Sequence, residues 1–254
     1  MPATKRLFVT TPFLAALLFT GSAVAQHEGH AGHSQRAAAK TPTRVGDPYP
    51  FATCPISGKK LGSMGDPAVK VYDGREVRFC CSGCTPKFEK VLQQSLGKID
   101  AKIAVDQASL YPLKTSVVTG KGLPEKPYEF VHGNRLIRLG SAKERAEFDR
   151  NPAKFLSALD EAVVDAQGKN YALKKCPVSG DPYGDGVDRP VDLILAGRLV
   201  RVGCKNCLED VEKDPARFIG LIDAARHSGK TEGEHAPDGK DEHGKQHGKG
   251  SCCK

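Results

Sequence analysis

The stretch Gly74-Arg75-Glu76-Val77-Arg78-Phe79-Cys80-Cys81-Ser82-Gly83-Cys84 has a counterpart in Gly197-Arg198-Leu199-Val200-Arg201-Val202-Gly203-Cys204-Lys205-Asn206-Cys207. The two decide how the rest of the chain is read. A third version, Arg135-Leu136-Ile137-Arg138-Leu139-Gly140-Ser141-Ala142-Lys143-Glu144, lies between them with Ser141 in place of Cys204 and Glu144 in place of Cys207. Upstream of each stands a second block. Thr53-Cys54-Pro55-Ile56-Ser57-Gly58 and Lys175-Cys176-Pro177-Val178-Ser179-Gly180 flank Thr115-Ser116-Val117-Val118-Thr119-Gly120, where Ser116 replaces Cys176. Self-similarity at such a period marks tandem units. The middle unit keeps the apolar frame without any cysteine, so the thiols are separable from the fold.

Local pattern gives each unit its elements. Val69-Lys70-Val71-Tyr72 alternates, Asp73-Gly74 is a hairpin turn signal, and Val77-Arg78-Phe79 alternates again. After Cys84 the apolar residues Phe88, Val91, Leu92 and Leu96 fall at helical spacing. Asn151-Pro152 and Asp214-Pro215 read as an N-cap followed by proline at the first helical position. The fold class expected is α+β, with three tandem hairpin-plus-helix units at 47–104, 105–166 and 167–228. The units should pack on one another, with the middle one as a central spacer. Cys84 and Cys207 should sit in the first turn of a helix, where the dipole lowers a thiol pKa.

Outside the repeats the chain is of another kind. Lys5 and Arg6, an apolar run from Leu7 to Phe19, and Ala23-Val24-Ala25 compose a secretory signal over 1–25, with cleavage expected after Ala25 and a periplasmic or secreted destination. No stretch approaches the roughly 20 apolar residues that span a bilayer. The formal charge is +8, and Lys5 and Arg6 supply two of those charges. The segment 229–254 balances five lysines with five acids, so nucleic acid is not an expected partner. No Ser/His/Asp set, paired-carboxylate site or phosphate loop stands out, and the chain is not expected to be an enzyme.

Nine cysteines in an exported chain require an explanation, because thiols outside the cytoplasm tend to oxidise. A distant loop cysteine meeting a close pair at a strand–helix junction is how small metal-binding knuckles gather ligands. Three thiolates suit Cu(I), or Zn(II) with a fourth ligand. Disulfides such as Cys81–Cys84, stapling a scaffold that interacts with another envelope protein, are an alternative. So is thiol–disulfide exchange through Cys81/Cys84 and Cys204/Cys207. A thioredoxin-like role would call for a long βαβ pattern around the pair, and the short hairpins argue against it.

The order Cys-Pro-(Ile/Val)-Ser-Gly, an aliphatic strand, then Phe79-Cys80 with Cys84 and Phe88 beyond, resembles the YHS and TRASH-like heavy-metal-binding domains. The likeness covers about 40 residues in each of the first and third units and is faint in the second. It implies small treble-clef-like folds, roles in metal sensing, trafficking or resistance, and Cys54, Cys80 and Cys84 as soft-metal ligands. The third unit departs by carrying Gly203 at the first paired position and using Cys204 with Cys207, beside Cys176. Internal alignment would then choose Cys81 over Cys80, so both stay candidates.

Two polar segments complete the set. Residues 26–46 contain His27, His30 and His33, and 229–254 contain His235, His243 and His247 before Cys252-Cys253. Lacking apolar residues, both are expected to be disordered, and His-rich tracts read as metal binding. His132 is assigned to the middle hairpin turn as an exposed residue without a role. The function expected is an exported Cu- or Zn-binding protein. Its histidine tails would collect ions, and its two cysteine sites would hold them or pass them to a metal-transfer partner.

Overall fold

Alternating side chains on either side of a two-residue turn make a β-hairpin, and the chain does this three times. The computed structural model describes residues 44–183 and 190–231. Strand β1 (Ala68–Tyr72) pairs with β2 (Arg75–Phe79), β3 (Tyr128–His132) with β4 (Arg135–Leu139), and β5 (Val191–Leu195) with β6 (Arg198–Val202). Each pair is an isolated antiparallel sheet of two strands, and helices supply the rest of an α+β architecture. All three turns place both central residues at positive φ: Asp73-Gly74, Gly133-Asn134 and Ala196-Gly197. That geometry matches the twist of the flanking strands.

After each second strand the chain turns into helix. In the first unit a 3₁₀ turn (Ser82–Cys84) leads to α1 (Thr85–Glu89) and then α2 (Leu92–Gln107). The second has a 3₁₀ turn (Ala142–Glu144), α3 (Arg145–Arg150) and α4 (Pro152–Gln167). The third has α5 (Cys207–Lys213) and α6 (Pro215–Thr231). Asn151 caps α4 by accepting from the Lys154 N–H, and Asp214 accepts from the Arg217 N–H at the start of α6. Helix α2 runs to Gln107, and a 3₁₀ turn (Ala108–Leu110) follows it before Tyr111; α2 is counted here with the first unit, whose hairpin it follows. Among the described residues no helix is long and apolar enough to cross a membrane.

A two-stranded hairpin is marginal by itself, so each unit folds its hairpin onto its own helices. Val77, Ile137 and Val200, at one register position of the second strands, have no exposed surface. They share that condition with Phe88, Phe148 and Val211 on the short helices, and Ile99, Leu159 and Ile222 on the long helices are almost as deeply buried. Phe88 meets Phe79 edge-on, and Phe148 meets Phe130 the same way. A tyrosine five residues before Cys54, Ser116 and Cys176, at 49, 111 and 171, is a repeat feature in all three units. The Tyr111 hydroxyl accepts from the Arg138 N–H, and the Tyr171 hydroxyl accepts from the Arg201 N–H.

The residue after each turn is an arginine buried at the hairpin base: Arg75, Arg135 and Arg198. Each pairs with an aspartate on its own unit's long helix. Arg75 meets Asp100, Arg135 meets Asp160 at 2.8 Å, and Arg198 meets Asp223 at 2.8 Å. Each also takes a partner from another unit. Arg75 donates to Asn134 Oδ1 (2.9 Å), Arg135 to Asp47 (3.2 Å) and Arg198 to Asp106 (2.7 Å). Asp47, largely buried, accepts from the Ala196 N–H at 2.6 Å through its other oxygen and so touches all three units. Burial, against the opposing pull of Arg135 and Ala196, raises its carboxyl to about 6.

Amides complete the interlock. Asn134 donates to the carbonyls of Asp47 and Glu76. Gln107 bonds Asn134 and Leu136 of the next unit, as Gln167 bonds Gly197 and Leu199. The Asp47 N–H donates to Gly133, and a side chain on either Gly46 or Gly133 would collide with the other segment's backbone at 2.3 Å. The middle unit is therefore not a spacer. The first and third units touch directly through Asp106–Arg198, Asp47–Ala196 and Arg44–Glu212, and Arg78 caps the Glu212 and Lys213 carbonyls at the end of α5.

Replacing Asn134 by Ala removes three buried hydrogen bonds and places a side chain without local hydrogen bonding at positive φ. The expected loss is about 3 kcal/mol in urea unfolding, with both the midpoint and thermal stability lowered. A loss under about 0.5 kcal/mol would show that the junction of the units does not depend on this amide.

Candidate metal centre

Three sulfurs converge where β2 ends and the helical region begins. Cys54, Cys80 and Cys84 are all buried, and their sulfurs lie within 4.8 Å of one another. Cys54 comes from the knuckle loop, Cys80 directly follows the strand, and Cys84 ends the 3₁₀ turn and caps α1. The loop is fixed by its own backbone. The Gly58 N–H donates to the Cys54 carbonyl at 3.0 Å, the Cys54 N–H donates to Lys59, and Gly58 takes a positive φ of 71°. The Cys80 and Cys84 sulfurs are 3.8 Å apart, and Ser57 Oγ lies 3.2 Å from the Cys80 sulfur. Phe79 and Phe88 wall the site on the core side.

The third unit repeats the arrangement in part. Among the described residues only Cys54, Cys80 and Cys84 bring three sulfurs within 4.8 Å of one another, while in the third unit Cys207 lies near each of Cys176 and Cys204. The sulfurs of Cys176 and Cys207 are 3.9 Å apart and those of Cys204 and Cys207 are 3.3 Å apart, all three residues being buried. Gly203 stands where the first unit has Cys80, and a Cβ placed on it would point at Cys176, 3.8 Å from its sulfur. These sulfur separations are well beyond a covalent S–S bond. Among the described cysteines there is no disulfide, and Cys81 and Cys84, the pair of the alternative staple, are not bonded. Cys81 is half exposed and stands outside the buried trio.

The middle unit shows what replaces the thiols. Ser116, almost wholly buried, donates to the Glu144 carboxylate, and Thr119 adds a weaker hydrogen bond. Its backbone follows the same course as its neighbours. The N–H groups of Gly120 and Gly180 donate to Ser116 and Cys176, and those of Glu144 and Cys207 donate to Ser141 and Cys204. Oxygen-to-oxygen hydrogen bonds to Glu144 thus hold loop to helix where the other units have sulfur.

The electrostatics run opposite to the helix-dipole expectation. For Cys54 burial opposes ionisation, but it is outweighed by donors converging on the sulfur. These are the Ser57 hydroxyl and the N–H groups of Ser57, Cys80 and Ile56, and they bring the thiol down to about 6. Cys176 is shifted the same way, against burial, by the N–H groups of Ser179, Gly203 and Val178 and the Ser179 hydroxyl. The helix-start thiols move up. Burial, with the neighbouring sulfurs, pushes Cys84 to about 12, and burial with Cys204 and Cys176 does the same for Cys207. A helix as short as α1 aligns few peptide dipoles, and that field is smaller than the effects of burial and an adjacent thiolate. In the first centre a loop thiolate therefore faces a helix thiol, and in the third the loop thiol is shifted in the same direction. Cys81 is lowered chiefly by the Gly83 N–H.

The remaining candidates separate clearly. His132 closes β3 instead of lying in the turn. It is half-buried, with its ring edge-on to Phe148 at 5.2 Å, and burial lowers its pKa. This is a packing role rather than an exposed one. His27, His30, His33, His235, His243, His247, Cys252 and Cys253 lie outside the described residues. The Ser57 and Ser179 hydroxyls were not singled out from sequence, although their recurrence three positions after each knuckle cysteine is visible there. Compared with known proteins, the chain matches no family model, no curated protein and no solved structure.

Titration of thiolate ultraviolet absorbance in the metal-free reduced chain should show a step near the Cys54 value of about 6. Cys54→Ser should remove one thiolate's share of that step and Cys84→Ser should leave it in place. A step indifferent to Cys54→Ser would contradict the proposed polarity of the site.

Proposed function

We propose that this protein is an exported soft-metal-binding protein that holds or transfers Cu(I) or Zn(II) at cysteine centres in its first and third units. The observation that carries the reading is the buried convergence of Cys54, Cys80 and Cys84, three sulfur donors with no disulfide between them. Sulfur-rich sites select thiophilic ions, and carboxylate and water sites do not. In the first unit Cys54, Cys80 and Cys84 would hold the ion, and in the third Cys176, Cys204 and Cys207. A bound ion would supply positive charge that binds the thiolates. The chain's part is to present one thiolate already ionised and to release the protons of the others to solvent as they bind, so affinity should weaken as pH falls.

The same reading takes the knuckle–hairpin–helix order as treble-clef-like and keeps the resemblance to YHS and TRASH-like domains as its family. It assigns the histidine tails to ion capture outside the folded units and places the protein in the periplasm or secreted space. Partners would be metal ions and a protein that receives them. No catalytic step is assigned. Thiol–disulfide exchange remains as a second reading, favoured by the short Cys204–Cys207 separation of 3.3 Å.

The test is metal content of the full reduced chain, purified anaerobically, equilibrated with Zn(II) or Cu(I) and washed with imidazole to strip histidine-held ions. At least one ion per chain should survive the wash, and Cys54→Ser with Cys84→Ser should lower that number. No retained ion, with the Cys204–Cys207 pair oxidised under a mild redox buffer, would favour the exchange reading instead.

A further inference from the structure

The first unit carries one thiol more than the third, and the backbone shows where it belongs. The Cys84 N–H donates to the Cys81 carbonyl at 3.3 Å, as the Cys207 N–H donates to the Cys204 carbonyl at 3.3 Å. Cys81 and Cys204 therefore hold the same register, and Cys80 matches Gly203. In the third unit this register turns its sulfur inward, because Cys204 is buried with its sulfur 3.3 Å from that of Cys207. In the first unit the inward place is taken by Cys80, and Cys81 stands half-buried at the rim, packed against the same cluster that holds Cys54, Cys80 and Cys84. Cys54, Cys80 and Cys84 form the assembled trio, and Cys81 stands beside it in the register that Cys204 holds in the third unit.

We propose that Cys81 is the fourth ligand of the first centre, which makes that centre a four-thiolate site and leaves the third a three-thiolate site. This rests on the metal reading above and extends it. Four thiolates satisfy a tetrahedral divalent ion of the Zn(II) class, and three suit Cu(I) in trigonal geometry. The two centres would then differ in the ion they prefer, although their loops and hairpins repeat. Cys81 would reach the ion by turning its side chain inward, as its counterpart Cys204 is turned toward Cys207. Binding converts its S–H to a sulfur–metal bond and passes the proton to solvent. The half-exposed position also makes it the ligand that an incoming thiolate meets first.

Co(II), an optical stand-in for Zn(II), tests this in the full reduced chain through its thiolate-to-metal charge-transfer absorbance. Cys81→Ala should retain its Co(II) and native circular dichroism and lose one thiolate's share of the band. Cys81→Ser should behave the same way, because a hydroxyl adds no thiolate transition. A band of unchanged intensity in both variants would overturn the proposal and leave the three-sulfur site standing. A wild-type chain with no charge-transfer band at all would overturn the metal reading itself.

Discussion

A buried arginine behind each hairpin turn is the constraint on which the rest of this structure depends. Arg75, Arg135 and Arg198 are nearly excluded from water. An unpaired charge in that position costs several kcal/mol. The cost is met twice over in each case, by an aspartate from the unit's own long helix and by a polar group from another unit. The first contact fixes the hairpin against its helix. The second fixes one unit against the next. Together they hold each strand–helix junction in one place, and that junction is where the sulfurs of the first and third units meet.

The middle unit separates fold from chemistry. It has the same hairpin, the same buried Ile137, Phe148 and Leu159, and the same Arg135–Asp160 pair as its neighbours. At the knuckle it closes loop to helix with Ser116 and Glu144 instead of sulfur. A unit can thus be assembled without thiols, and the burial of Cys54, Cys80 and Cys84 is not explained by the needs of folding alone. Polarity adds to this. Backbone donors around Cys54 stabilise a thiolate, an arrangement that a purely packed thiol does not require.

Much of this was legible in the sequence. The turn residues Asp73-Gly74, the alternating strands and the Asn151-Pro152 helix start are local signals, and the structure carries each of them. The meeting of Cys54 with Cys84 could be expected because the block recurs with its spacing, whereas Cys80 was implied only by the resemblance to YHS and TRASH-like domains. Other features could not be read because they are set by burial between units. The Arg–Asp pairs recur at one interval in all three units, but charged residues at such spacing look like solvated surface until the packing is known. The choice of Cys80 over Cys81 for the buried trio turned on a single side-chain direction, which the Gly203 register of the third unit had obscured. The raised pKa of Cys84 and Cys207 reversed the dipole argument because the helices that follow are short and the neighbouring sulfurs are close.

The central claim is that buried sulfur, not tail histidine, is the high-affinity ligand set. X-ray absorption at the zinc edge of the imidazole-washed, Zn(II)-loaded chain tests it most directly. The account predicts a first shell dominated by sulfur at about 2.3 Å. A shell made up only of nitrogen and oxygen at about 2.0–2.1 Å would contradict it.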